Sequence, residues 1–304
     1  MPQPRIAVVG SANTDMVIKA ERIPAPGETV IGREFVMAPG GKGANQAVAA
    51  ARLGAEVTFV ARLGSDVFGD RAIAGYEQEG IDTTWIVRDP ETASGVALIF
   101  VDEAGENSIA VASGANARLA AEDVERAQDA IASADVLLVQ LEVPLAALSR
   151  AIEIAHSAGV RVILNPAPAR EVPASLLSRV SIATPNEHEI KVVVGKGDRV
   201  RSVAKMLDAG TQTVLVTLGT QGVLWAEKGQ QVRIPAFRVQ AVDTTAAGDA
   251  FNGALAYALA SELAMQEAIR YASAAAAIAV TRMGAQPSLP TRTEVKDFLR
   301  QAGS

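Results

Sequence analysis

Short apolar runs recur along this sequence, each handing over to a helical pattern, and that alternation constrains the fold more than any single motif. Residues 5–10 (RIAVVG) read as a buried-type strand ending on glycine. Residues 57–63 precede a helix ending near Gly80, and 136–140 precede one ending at Ala158 and Gly159. Runs at 160–164, 182–184 and 214–218 continue the series. Such alternation implies a parallel sheet with helices on both faces. Ligands then bind beyond the carboxyl ends of the strands. The expected fold class is α/β: one domain over residues 1–304, with a central, mostly parallel sheet covered by helices on both faces. Two regions break the rhythm. Residues 29–38 and 94–112 read as extended segments, the second a hairpin around Asp102 to Glu106. With residues 12–20 they are expected to form a small antiparallel β lid over the mouth of the site; a decorative edge sheet is the alternative.

Bulk composition narrows the functional classes. With 304 residues, 49% of them hydrophobic, the chain can bury one large or two modest cores. Cysteine is absent, which excludes disulfides and thiolate metal sites and fits a reducing compartment. No apolar run approaches the roughly 20 residues that span a bilayer. Residues 1–5 lead into a strand rather than a signal peptide, so a cytoplasmic protein is expected. The net charge of −6 argues against a nucleic-acid surface. Any phosphate must therefore be held by local devices: backbone amides, one or two cationic side chains, a divalent metal.

The stretch Asp243-Thr244-Thr245-Ala246-Ala247-Gly248-Asp249 supplies such a device. Residues 238–242 alternate polar and apolar and read as a strand end. A helical pattern begins on Ala246-Ala247-Gly248 and runs through Leu259. The first N–H groups of a helix lack intrahelical partners and carry partial positive charge, and small residues admit a phosphate closely. Asp249 would repel a phosphate, but it suits a base that takes a proton from an attacking hydroxyl; an ordinary acidic first-turn residue is the plain alternative.

Residues 40–47, GGKGANQA, open a second helix, which Gly54 ends. This is no Walker A loop, because Gly43 follows Lys42 where Ser or Thr is required. Asn13 and Asp15, two apart in an extended segment, share a side and suit the hydroxyls of a sugar, or else form an Asx turn. Glu142 follows another strand, as a polyol contact or a solvated loop residue. Asn165-Pro166-Ala167-Pro168 reads as a rigid turn shaping the pocket floor. Asn186 and Glu189 follow a further strand end, and residues 217–222 form a G-x-x-G turn before a strand at 223–225. With only His156 and His188 present, a histidine metal cluster or Ser-His-Asp triad is not expected.

DTTAAGD and GGKGANQA together resemble the C-terminal (D-T-x-G-A-G-D) and N-terminal motifs of the ribokinase-like, or phosphofructokinase-B type, sugar kinases. The resemblance spans essentially the whole chain. Ala246 stands where the family has the first glycine, a change expected to be mild because the position needs a small residue more than a glycine. The resemblance implies an ATP-dependent kinase, with D-ribose phosphorylated at its 5-hydroxyl as the first expectation. Deoxyribose, fructose or adenosine as substrate, or a non-catalytic binding protein, are the alternatives. Asp249 would be the base, and the amides of Ala246, Ala247 and Gly248 the anion hole. Asn13, Asp15, Gly41, Lys42, Asn45 and Glu142 would hold the sugar. Asn186, Glu189, Thr217, Gly219, Thr220, Gly222, Gly248 and Ser273 would serve the nucleotide, Glu189 acting on Mg2+ through water. Ser273 stands where a histidine often faces the adenine. Asp243, Thr245, Ala279, Arg282, Gly284 and Ser288 resemble a monovalent-cation site, which implies activation by K+. A homodimer through the lid strands is also implied.

Overall fold

The structure, a computed structural model, describes residues 3–195 and 197–303. In chain order its strands are β1 (Arg5–Val9), β2 (Asn13–Lys19), β3 (Glu34–Gly40), β4 (Glu56–Gly64), β5 (Ile86–Asp89), β6 (Gly95–Val101) and β7 (Asn107–Ala112), then β8 (Val136–Gln140), β9 (Arg161–Asn165), β10 (Ile182–Ala183), β11 (Thr213–Thr217), β12 (Val223–Glu227) and β13 (Gln230–Ile234). The helices are α1 (Lys42–Arg52), α2 (Val67–Gln78), α3 (Ala121–Arg126), α4 (Gln128–Ala132), α5 (Leu145–Ser157) and α6 (Ala174–Leu177), then α7 (Glu189–Val193), α8 (Arg199–Asp208), α9 (Ala247–Ala260), α10 (Met265–Ala279) and α11 (Arg292–Ala302).

Nine strands form the main sheet, in the order β13-β12-β11-β10-β9-β8-β1-β4-β5. It is parallel from β5 to β11 and closes with antiparallel β12 and β13. The central strands are apolar except at their ends because helices cover both faces. Alternate residues feed two cores. Ile6, Val8 and Leu138 pack with α1, α9 and α10, while Ala7, Val9, Leu137 and Val139 pack with α5 and α8. Each fully buried large side chain contributes about 1.5–3 kcal/mol, which holds the strand ends in place beneath the site.

Strand order reverses at β1, which has β4 on one side and β8 on the other. The crevice outside the carboxyl ends at such a point is where open α/β sheets take ligands. Residues after β1 and after β8 flank it, and the Ser11 hydroxyl donates across to Glu142.

The small sheet has the order β3-β2-β6-β7. Its outer pairs are antiparallel, but β2 and β6 run parallel. β2 follows β1 and β6 follows β5, so both leave the same end of a parallel sheet and arrive side by side. The expected extended segment at 29–38 is displaced: β3 starts at Glu34 and runs to Gly40, in full register with β2 from Lys19 back to Asn13. Residues 238–242, expected as a strand end, have no sheet partner. Instead the N–H groups of Val242 and Asp243 donate to the Val280 carbonyl, at 2.7 and 3.2 Å. A helix end leaves its last carbonyls unpaired, and here the end of α10 takes the place of a neighbouring strand. Among the described residues no helix is long and apolar enough to cross a membrane.

Candidate active site

The site is set by how closely α1 and α9 approach. Gly253 on α9 has no room for a side chain: a Cβ there would stand 2.5 Å from Ala49 Cβ and 2.8 Å from the Gln46 carbonyl. Gly41, the N-cap of α1, has φ 87°, a left-handed conformation that glycine adopts without strain. The contact carries α1 side chains to the first turn of α9. Asn45 Nδ2 donates to Asp249 Oδ2 at 2.9 Å and Gln46 Nε2 to Oδ1 at 2.8 Å. Asp249 is 7% exposed. Burial raises its carboxyl pKa; Lys42, Asn45 and Gln46 pull the other way, and the net shift is upward.

Around Asp249 lie the residues expected to hold a sugar. Asn13 Oδ1 accepts from Asn116 Nδ2 at 2.8 Å, and Asn116 is itself fixed by the Ala12 N–H at 2.9 Å. The Asp15 carboxylate lies over Gly40, where a Cβ would come within 2.3 Å of Oδ2. Burial first, then the charges of Glu142 and Asp249, push the Asp15 pKa up to about 6 against the pull of Lys42. Glu142 Oε2 accepts the Lys42 N–H at 3.0 Å, and the Lys42 ammonium lies 3.9 Å from Oε1. Burial would lower the Lys42 pKa, but Asp249, Glu142, Glu189 and Asp15 together raise it. One ammonium thus serves four carboxylates.

The turn before Asp249 corrects one expectation. Ala246, the N-cap of α9, has φ 62° and ψ 8°, in the left-handed region. The position requires that conformation and not merely a small side chain, and a residue with a Cβ meets a cost of roughly 1–2 kcal/mol there. The Ala247 N–H is also engaged, turning back to the Thr244 carbonyl at 3.2 Å. Gly248 is different. Its N–H has no acceptor among the described residues, and nothing lies within 4 Å of where its Cβ would be. Its carbonyl is pinned by Asn252 Nδ2 at 2.8 Å, and Asn252 Oδ1 accepts from Thr184 at 2.6 Å.

Asn186 and Glu189 form a closed pair. The N–H and Nδ2 of Asn186 each donate to the Glu189 carboxylate at 2.8 Å, while Asn186 Oδ1 accepts the N–H groups of His188 at 2.9 Å and Glu189 at 2.8 Å. A carboxylate so engaged fits action on a metal through water better than direct ligation. Burial raises the Glu189 pKa, opposed by Asn186 and Lys42. Thr217 ends β11, and Gly219 and Thr220 are exposed in the following turn. Gly222 (φ 93°) packs tightly, since its Cβ would meet the Ile234 carbonyl at 2.0 Å. Ser273 is half-buried on α10.

Of the expected cation ligands, the structure joins Asp243, Thr245 and Gly284. Asp243 Oδ1 accepts the Thr245 N–H at 2.9 Å and Oδ2 the Gly284 N–H at 2.8 Å. Burial alone would raise the Asp243 pKa, but these bonds bring it below its ordinary value. The Arg282 guanidinium turns away to Glu294, Ser288 Oγ donates to the Ala285 carbonyl at 2.7 Å, and the Ala279 carbonyl accepts the Arg282 N–H at 3.1 Å. Arg282 therefore has only its main-chain oxygen to offer a cation, while Ser288 keeps the lone pairs of its hydroxyl as well as its carbonyl.

Sequence reasoning missed Gln46, Gln140, Asn116 and Asn252, and read Asn165 only as part of a turn. A glutamine among the small apolar residues of α1, a helix buried from Gly43 to Ala50, was a usable signal, since buried polar groups need partners. Asn116, about a hundred residues from the strand it supports, gave no local sign. Asn45 Oδ1 is buried without a partner among the described residues; it lies beside Asp249 and fits a hydroxyl donor.

Residues 3–292 match the pfkB family carbohydrate kinase description. The chain is 47% identical to a ribokinase of Haemophilus influenzae, covering 98% of this chain and 99% of that one. It is 40% identical to a deoxyribokinase of Salmonella typhi, over 97% and 98% of the two chains. The structure of Arabidopsis thaliana ribokinase complexed with ribose and ATP superposes with a TM-score of 0.88 at 32% identity, over 99% of each chain. Fold and full-length similarity agree, and the chain belongs to the pfkB family of carbohydrate kinases.

Proposed function

We propose that the protein phosphorylates D-ribose at the 5-hydroxyl, with ATP as the phosphoryl donor. The observation that carries this reading is the buried Asp249 carboxylate, held by two amides at a helix start whose Gly248 N–H is open. Asp249 takes the proton of the attacking hydroxyl. Asn13, Asp15, Gly41, Asn45 and Glu142 orient the remaining hydroxyls, Asn45 through its unpartnered Oδ1. Lys42 and the Gly248 amide face the negative charge that develops on transfer. Magnesium-bound ATP supplies the phosphoryl group, on a surface formed by Asn186, Glu189, Thr217, Gly219, Thr220, Gly222 and Ser273. The similar ribokinases support ribose as acceptor, and the Salmonella typhi deoxyribokinase makes 2-deoxyribose the second reading. An ADP-release assay across ribose, 2-deoxyribose, fructose and adenosine tests it. The highest kcat/KM is expected with ribose; preference for another acceptor, or release with none, refutes the assignment.

Three finer elements belong to the same reading. K+ bound by Asp243 and nearby carbonyls activates turnover by fixing the 243–248 turn. Two copies pair through the lid, whose sheet exposes Phe35, Leu98, Ile109 and Val111. The cysteine-free composition supports a cytoplasmic site of action.

A further inference from the structure

A buried chain of amides runs behind the base, and Gln46 is its node. Gln46 is fully buried. Its Nε2 donates to Asp249 Oδ1 at 2.8 Å and to Asn165 Oδ1 at 3.0 Å, and its Oε1 accepts from Gln140 Nε2 at 2.7 Å. Both amide hydrogens are thus used. The direction of the chain follows from charge. An ionised carboxylate only accepts, so the Gln46 nitrogen must face Asp249 and its oxygen must face Gln140. Gln140 must then donate, and its own Oε1 is left buried and without a partner among the described residues. A native interior rarely leaves a buried oxygen unpaired. Here the orphan is the far end of a chain polarised toward one anion.

We propose that Gln46 is a positioning residue for phosphoryl transfer, holding Asp249 ionised and oriented through a Gln140–Gln46–Asp249 relay anchored on the ends of β8 and β9. It rests on the reading of Asp249 as the base. A neutral donor suits this position, since a cation at the same place would weaken the base and an apolar residue would leave it to protonate. Asn45 supplies the second donor from the same helix. The other charged groups facing Asp249 are Lys42 from α1, Glu142 after β8, Asp15 from β2 and Glu189 at the start of α7. None of them donates a hydrogen bond to Oδ1.

The test is the pH profile of the single-turnover rate at saturating ribose and ATP. Saturation keeps the titration of Asp15 out of the profile. Gln46→Met keeps the volume and removes the donor. Losing a hydrogen bond to the ionised form should move the acid limb up by about one to two pH units, with the alkaline plateau less affected. Gln46→Glu places an acceptor against two acceptors and should lose the rate at all pH values. Gln140→Met breaks only the outer bond and should shift the limb less, in the same direction; it carries the test if Gln46→Met does not fold. An acid limb unmoved in whichever of these two folds overturns the proposal. A second readout needs no turnover: the infrared carboxyl band of Asp249, identified by its loss in Asp249→Asn, titrated in wild type and Gln46→Met. If Asp249→Asn keeps its turnover, the base assignment fails; the band still reports whether Gln46 sets the ionisation. A band titrating identically in both proteins overturns the Gln46 proposal alone.

Discussion

Gly253→Ala tests the close approach of α1 and α9 that assembles the site. The added Cβ would stand 2.5 Å from Ala49 Cβ, whereas carbon atoms rest at about 3.5–4.0 Å. The helices must therefore part by about 1 Å. The 2.8 and 2.9 Å bonds from Gln46 and Asn45 to Asp249 would stretch beyond hydrogen-bonding range. Overpacking costs about 1–3 kcal/mol, and replacing a mid-helix glycine returns about 1 kcal/mol. The net loss of stability is about 0–2 kcal/mol. At about 2–4 °C per kcal/mol, Tm falls by no more than about 8 °C. Turnover should suffer more, because a misplacement of about 1 Å can cost on the order of 10²-fold. The assay pairs a thermal melt with kcat at saturating substrates, and a ten- to hundredfold loss of kcat is expected at 25 °C, where the variant is folded. Gly75→Ala on α2 is the control: nothing lies within 4 Å of its Cβ position, so Tm should rise slightly and kcat stay constant. A Gly253→Ala enzyme with kcat within twofold of wild type and a raised Tm would refute the reasoning.

Asp249→Asn is expected to lower turnover on the order of 10²–10⁴-fold while calorimetry shows ribose binding retained, since a base acts chiefly on the transition state; near-normal turnover contradicts it. Asp15 has a folded pKa of about 6, above the unfolded value of about 3.9, so the folded state binds the extra proton between those values. Its contribution therefore reduces stability as pH rises from about 4 to 6 and keeps it lower above that. Asp15→Asn should raise Tm at pH 8 and leave it unchanged at pH 4, while ribose affinity in the wild type should fall as pH drops below about 6; equal Tm changes at both pH values would contradict this. Asp243→Ala should abolish any response of kcat to K+ over Na+ at fixed ionic strength, and equal wild-type rates in both salts would leave Asp243 as a turn cap. Leu98→Lys on the lid should yield a monomer in sedimentation velocity if two copies pair there; an unchanged mass excludes that face.

Much of this protein is legible in its sequence, because local rules act over short spans. The strands β1, β4, β8, β9, β10 and β11 are largely apolar runs bounded by turn residues, and each appears within a residue or two of its expected place; β5 had no such expectation, and β3 starts five residues later than the expected segment. The α1 and α9 motifs lie at helix starts that glycine and small residues mark. Asp249 could be picked out as a candidate base because a carboxylate in a turn suited to phosphate needs a reason. What required the tertiary structure is whatever depends on a partner distant in the chain. Residues 238–242 alternate like a strand, yet the segment ends with the N–H groups of Val242 and Asp243 bonded to the end of α10, which no local pattern announces. Ala246 looked like a tolerated small residue; only the fold imposes its positive φ. The parallel pairing of β2 with β6 follows from where β1 and β5 end, not from either strand's residues. Asn116, Asn165, Gln140 and Asn252 are ordinary polar residues until folding removes water from around them. Hydrogen bonding buried groups is a demand of the whole interior, and their partners are chosen by strand order and helix contact rather than by neighbours in sequence.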